Sequence, residues 1–291
     1  MSNILLIGAY GQVGYELRST LAGLGKVIAC TRKELDLGDP DQISSQVRRH
    51  KPSIIVNAAA YTAVDRAESE SEMAMKINGI APGVLAEEAK RLNALLVHYS
   101  TDYVFDGLSK VPYTEEDAPN PINVYGQSKL TGEKNIQAVE GRHLILRTSW
   151  VYSPLGHNFL KTMLKLADSG KEISVVTDQV GAPTWSRFLA EYTAKLLLVL
   201  ENNKDSACLC GLYHLTPSGS TSWFNFAKAI FAHQGKKPIL NAITTDQYVS
   251  AAKRPLNSVL SSNKLINTFG MQLPSWEQGL EHCLKELNQR Q

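Results

Sequence analysis

The sequence predicts an α/β protein built on a doubly wound parallel sheet, and three observations carry that prediction. Largely apolar runs at 4–7, 54–60, 95–100 and 143–152 alternate with stretches of helical periodicity, as strands covered on both faces require. The first run passes directly into Gly8-Ala9-Tyr10-Gly11-Gln12-Val13-Gly14, and a helical pattern follows. With 291 residues, 43% of them hydrophobic and 20% charged, the chain is long enough for one large α/β unit and a smaller lobe.

Strand, glycine-rich turn and helix in that order describe a Rossmann-type dinucleotide-binding unit. Gly8, Gly11 and Gly14 permit close backbone approach, and the helix N-terminus offers N–H groups and a positive dipole end to a pyrophosphate. The spacing is G-x-x-G-x-x-G, and a plain tight turn is the competing reading; the position after the first strand favours the nucleotide. The strand at 27–30 ends where NAD-specific folds place an acidic residue on the ribose hydroxyls, but the chain reads Cys30-Thr31-Arg32-Lys33. The Arg32 guanidinium suits a 2′-phosphate, so NADPH is the expected cofactor and NADH the alternative, against the plain reading of a solvated loop. Asp36-Leu37 follows, then a helix over 40–49.

The strand at 54–60 carries small residues, Ala58, Ala59 and Ala60, that let backbone lie close to a flat ligand. After Tyr61-Thr62-Ala63-Val64-Asp65, one long helix is expected over about 73–91, with Asn78 inside it. The strand at 95–100 exits through Ser100-Thr101-Asp102-Tyr103 at the carboxyl edge of the sheet, where open α/β folds bind ligands, which sets Thr101 beside the cofactor cleft. A threonine capping a turn is the ordinary alternative.

Next comes Asn120-Pro121-Ile122-Asn123-Val124-Tyr125-Gly126-Gln127-Ser128-Lys129. If a helix begins here, Tyr125 and Lys129 share a face. An ammonium near a phenol favours phenolate and is expected to draw its pKa from roughly 10 toward neutrality, giving a general acid for carbonyl reduction. An exposed Tyr and Lys on a surface helix is the competing account. Beyond the strand at 143–152 the rhythm changes: helix over 158–167, strand at 173–176, turn at 179–184, helix over 188–200, strand at 211–215. Residues 1–152 thus form the dinucleotide-binding domain and receive about 186–216, while 153–185 and 217–291 form an interleaved C-terminal substrate lobe.

A net charge of +2 with no basic stripe argues against nucleic acid and anionic membranes as partners. The N-terminus reads as a strand rather than a signal peptide, and no apolar run approaches the roughly 20 residues of a membrane helix, so a soluble cytoplasmic protein is expected. Cys30, Cys208, Cys210 and Cys283 lack the partner spacing of a zinc site and read as thiols.

The chain resembles the extended short-chain dehydrogenase/reductases over nearly its whole length, and among them the members that reduce a dTDP-linked ketosugar. The glycine turn is generic. More specific are Asn57 through Asp65, Ser100 through Phe105, Asn123 through Lys129, Arg147 through Tyr152, Asp178 through Thr184, and Arg254-Pro255-Leu256-Asn257-Ser258. The resemblance implies reduction of dTDP-4-dehydro-β-L-rhamnose at C4 to dTDP-β-L-rhamnose, the activated sugar for cell-surface polysaccharide such as the O-antigen of lipopolysaccharide. Tyr125 would give the proton, Lys129 would hold the nicotinamide ribose and tune Tyr125, and Thr101 would hydrogen-bond the substrate oxygen. Gly11, Gln12 and Val13 fall at the pyrophosphate, Asp36 and Leu37 at the adenine, and Ala60, Tyr61 and Thr62 where the strand passes the cofactor. Asp102 and Trp150 match substrate contacts, and Arg254, by its charge, is the candidate for the diphosphate.

Some members are dimers bridged by Mg²⁺ through glutamates. Glu16 fits one such position, but the partner position holds Arg187, which cannot ligate a cation. No metal is expected, Glu16 being a ligand only if such a dimer forms; a metal-free homodimer stays open. Two alternatives remain. Another nucleotide-sugar reductase or epimerase is one, although related dehydratases carry Thr-Asp-Glu where this chain has Thr101-Asp102-Tyr103. The other is a non-catalytic NADP-binding regulatory subunit resembling the β subunit of methionine adenosyltransferase, a role that needs no tuned proton donor.

Overall fold

A computed structural model describes residues 2–203 and 206–290. Six parallel strands form the central sheet: β1 (Ser2–Ile7), β2 (Gly25–Cys30), β3 (Ile54–Asn57), β4 (Leu95–Thr101), β5 (His143–Thr148) and β6 (Gly211–His214). Their spatial order is β6-β5-β4-β3-β1-β2, so the direction of winding reverses beside β1. Alternation along each strand divides the core in two. Ile4, Leu6, Val56, Val97 and Leu146 point to one face, and Leu5, Ile7, Ile55, Leu96 and Ile145 to the other.

Helices cover both faces. α1 (Gln12–Thr20) lies on the first face, and α2 (Pro40–His50), α3 (Ala81–Arg91) and α4 (Val124–Ala138) lie on the second. Further along, α5 (Phe159–Ala167) precedes α6 (Ser186–Asn202), which returns to pack on α1 before β6 adds to β5 at the sheet edge. The C-terminal part contributes α7 (Trp223–His233) and α8 (Trp276–Gln289), together with a short parallel pair, Ile173–Val176 with Leu240–Ile243. Among the described residues no helix is long and apolar enough to cross a membrane.

Three expected elements differ in detail. The single helix over 73–91 is instead a turn of α-helix at Ser71–Ala74, a π-helix at Met75–Ile80 and then α3. Pro82 explains the widening, because it has no N–H to return to the carbonyl of Asn78 four residues before it. The strand at 54–60 stops at Asn57. The strand at 143–152 breaks after Thr148: Trp150 takes a left-handed conformation (φ 48°), and Val151–Tyr152 leaves the sheet to pair with Thr184–Trp185. A left-handed tryptophan is strained, and this one sits at the site.

Candidate active site

The carboxyl ends of β1, β3, β4 and β5 open into a cavity of about 690 Å³. On one side the glycine turn forms its floor. Gly8 has φ 79°, and a side chain there would meet the backbone of Ala59 at 2.6 Å. A Cβ on Gly14 would stand 2.0 Å from the Gly8 carbonyl, so only glycine lets α1 spring this closely from the turn. Gly11 caps α1 without any side-chain acceptor, leaving the first N–H groups of the helix beside the cavity wall formed by Gly11, Gln12 and Val13. That cradle, with Ala58, Ala60 and Thr62 opposite, fits a dinucleotide pyrophosphate.

Arg32 lies outside this cavity, in an adjoining pocket with Gly8, Tyr10, Gly11 and Lys33, its guanidinium solvent-facing and 3.9 Å from Asp36. Asp36 accepts from the Gly38 N–H at 2.9 Å, and Leu37 is buried in the core with Ile43 and Val47; neither lines the cavity or the pocket. Tyr61 is also turned away. Its hydroxyl donates to Glu70 at 2.6 Å, while the Asn78 amide bonds both its N–H and its carbonyl.

Opposite the glycine turn stands the start of α4. Asn123 caps it by accepting from the Gly126 N–H at 2.7 Å, which places Tyr125 in the first turn and Lys129 one turn on, both on the cavity wall. Thr101 and Asp102, at the exit of β4, complete that wall, with the Thr101 hydroxyl donating to Asp102 Oδ1 at 3.0 Å. Burial works against the expected tuning. Burial pushes the Tyr125 phenol up to about 12, opposed by a hydrogen bond with Thr101. Lys129 does not offset it, because its Nζ is spent on the Tyr99 carbonyl at 2.6 Å and lies 3.2 Å from His98 Nε2. Burial draws Lys129 down to about 8, with Glu133 opposing. Asp102 is raised to about 7, again chiefly by burial.

Trp150 closes the far end. Its ring lies flat on Trp223, 3.6 Å between centroids, and covers Gly181. Beyond the stack is a second cavity of about 410 Å³, lined by Trp223, Met163, Val175, Tyr248 and Arg254. Arg254 therefore does not face Tyr125 directly. It pairs with Asp65, Nη2 to Oδ2 at 2.7 Å and Nη1 to Oδ1 at 3.2 Å.

A family profile described as the RmlD substrate binding domain matches residues 1–289. This chain belongs to that family. Similar members of known name include the dTDP-4-dehydrorhamnose reductases of Burkholderia thailandensis and Escherichia coli K12, each 46% identical over 98% of both chains. Among solved structures, the Bacillus anthracis dTDP-4-dehydrorhamnose reductase in complex with NADP superposes with a TM-score of 0.92 at 38% identity, covering 98% of this chain and 99% of that one.

Further residues with no role expected from the sequence line the cavity wall. Asn158 caps α5 and donates to Gln12 Oε1 at 2.8 Å, tying the glycine turn to the C-terminal part. His157 and Gly156 line the same rim. Ser100 Oγ and Thr148 Oγ1 are buried in the cavity wall without a partner. For Ser100 and Thr148, a polar residue at the carboxyl end of an apolar run was the available signal. Glu16, the residue considered above as a ligand in a metal-bridged dimer, is 1% exposed and accepts from Arg187 Nε at 3.1 Å.

Proposed function

We propose that this protein reduces the C4 ketone of dTDP-4-dehydro-β-L-rhamnose to dTDP-β-L-rhamnose with NADPH, Tyr125 being the proton donor. One observation carries the reading: Tyr125, Lys129 and Thr101 stand across one cavity from the glycine turn, so a dinucleotide on the turn extends toward the phenol. When bound, the cofactor supplies the hydride. Gly11, Gln12 and Val13 hold its pyrophosphate at the N-terminus of α1, and Arg32, which has only a loose partner in Asp36, is placed for a 2′-phosphate. Gly8 and Gly14 shape the turn, and Ala58, Ala60 and Thr62 line the path, with Tyr61 contributing backbone alone.

The phenol's elevated pKa suits its role. Tyr125 stays protonated at neutral pH and gives up its proton only when a stronger base, the oxygen developing negative charge at C4, is within reach. Thr101 and Asp102 orient that oxygen and its neighbouring hydroxyls, and Trp150 stacks over the sugar's end of the cavity. The diphosphate and base extend toward the second cavity, where Arg254 serves the diphosphate after sharing or releasing Asp65. A nucleotide-sugar reduction of this kind belongs in the cytoplasm and needs no metal, and a homodimer without a metal bridge agrees with the Glu16–Arg187 pair. Neither alternative, the regulatory subunit or another nucleotide-sugar enzyme, finds support in the relatives named above.

Loss of NADPH absorbance on mixing with dTDP-4-dehydrorhamnose tests the reading directly. Tyr125→Phe removes the donated proton together with the phenol's hydrogen bond to Thr101, and is expected to lower kcat by about 10²- to 10⁴-fold while leaving NADPH binding intact. An unmodified protein that binds NADPH but never oxidises it with this sugar would end the proposal.

A further inference from the structure

Behind Lys129 lies a buried pair without a role in the reaction as described. Asn57 on β3 and His98 on β4 are neighbours in the parallel register, and each is 1% exposed. Asn57 Nδ2 stands 3.1 Å from His98 Nδ1, and His98 Nε2 stands 3.2 Å from Lys129 Nζ.

Counting donors fixes the protons. Asn57 Oδ1 accepts from the backbone N–H of Ala59 at 3.2 Å, and a backbone N–H can only donate, so the amide NH₂ faces the imidazole. His98 Nδ1 therefore accepts, and the proton of the neutral ring sits on Nε2, directed at Lys129. An ammonium has no lone pair. Two donors would meet head to head, and the arrangement closes only when Lys129 is an amine that accepts from His98 Nε2–H while donating to the Tyr99 carbonyl.

We propose that His98, oriented by Asn57, is a positioning residue of the reduction that sets the balance between ammonium and amine at Lys129. The proposal rests on Lys129 being the partner of Tyr125. To hold an ammonium, the ring proton must lie on Nδ1 and the Asn57 amide must turn over, which sets its NH₂ against the Ala59 N–H and leaves that donor unpaired. The two states differ by one proton, taken from water through the cavity. Burial of Lys129 acts in the same sense. From its own helix, Tyr125 and Glu133 face it, and Glu133 is already committed to Arg147 of β5. Asp102 stands beyond Tyr125.

The consequence for turnover is a prepared resting place for the amine. Once Tyr125 has given its proton to the sugar oxygen, an ammonium at Lys129 returns one proton to the phenolate. It becomes the amine, the form to which His98 Nε2–H can donate once Asn57 Oδ1 faces the Ala59 N–H. Phenol and amine replace phenolate and ammonium, and the ring proton of His98 passes from Nδ1 to Nε2 with them.

The test reads the ring directly. Long-range ¹H–¹⁵N correlation above pH 8, where Lys129 is the amine, on protein labelled at its 7 histidines, with His98 assigned through His98→Gln, is expected to show the Nε2–H tautomer of His98. Asn57→Asp keeps the shape but offers acceptors to both the Ala59 N–H and the ring, and should switch His98 to Nδ1–H. In the same variant the basic limb of kcat/KM, expected at about 8 in the unmodified protein, should rise by about one pH unit, a roughly tenfold change in the amine–ammonium ratio. His98 on Nδ1–H in the unmodified protein above pH 8 would overturn the proposal, and that spectrum decides even if Asn57→Asp fails to fold. A switched tautomer with an unmoved basic limb would overturn it as well. Turnover with the wrong tautomer sinks this role alone; no turnover with Nε2–H present sinks the reductase reading and this role together.

Discussion

Replacing Asp102 by Asn is expected to abolish a pH dependence of stability that runs opposite to that of most carboxylates. Asp102 is 2% exposed, its Oδ1 bonded to Thr101 and its Oδ2 without a partner. Burial raises its pKa to about 7, from an ordinary value of 3.8 in the unfolded chain, and the hydroxyls of Ser258 and Thr101 only partly oppose the rise. Below the unfolded value both states are neutral and the group contributes nothing. Between the two values the unfolded chain has lost a proton that the folded chain keeps, so stability falls as pH rises, at about 1.4 kcal/mol per unit. Across the window the loss reaches roughly 4 kcal/mol, complete above the folded pKa. Asn has the same shape and no charge at any pH. Urea unfolding of both proteins, followed by far-UV circular dichroism in half-unit steps between about pH 5 and 8.5, isolates this group as the difference between the two stabilities. The difference should slope against the unmodified protein up to about 7 and then level. A difference that stays flat across the whole range would refute a neutral, buried Asp102.

Other substitutions follow from the packing. Gly181→Ala puts a methyl group 2.5 Å from Trp150 Cε2, and the ring cannot retreat because Trp223 lies 3.6 Å behind it; the expected loss is about 1–3 kcal/mol, with an altered near-UV tryptophan spectrum. Gly14→Ala drives a Cβ into the Gly8 carbonyl at 2.0 Å and should weaken NADPH binding more than about tenfold by fluorescence titration, whereas Gly23→Ala, with nothing within 4 Å, should leave it unchanged. Glu133→Gln strips the buried Arg147 of its counter-charge at 2.6 Å, a loss of about 3–5 kcal/mol that thermal unfolding would register.

The fold was readable because a buried parallel strand has a one-dimensional signature. Continuous apolar runs at 4–7 and 95–97 have no solvent face to show, and both are fully interior in β1 and β4. The misread details share a different origin. Whether Pro82 ends a helix or widens one depends on what donates to the carbonyl it leaves free, and whether the strand at 143–152 runs on past Thr148 depends on a partner, Thr184–Trp185, more than thirty residues away. Local pattern carries neither.

The site divides along the same line, and Lys129 shows why. A spacing of four places Lys129 and Tyr125 on one face of α4, and the cavity receives both. Spacing says nothing about what else competes for the ammonium. The carbonyl of Tyr99 and the ring of His98 come from β4 and reach Nζ only because the sheet packs under the helix, so the expected depression of the phenol gives way to burial. His98 itself left a trace, being the one residue in the run Leu95-Leu96-Val97-His98-Tyr99 whose ordinary pKa lies close to 7. A histidine in a strand covered on both faces must be hydrogen-bonded at both ring nitrogens or leave a polar atom bare in the core. That requirement asks for two partners on one face of the sheet, and Asn57 and Lys129 are the residues that meet it.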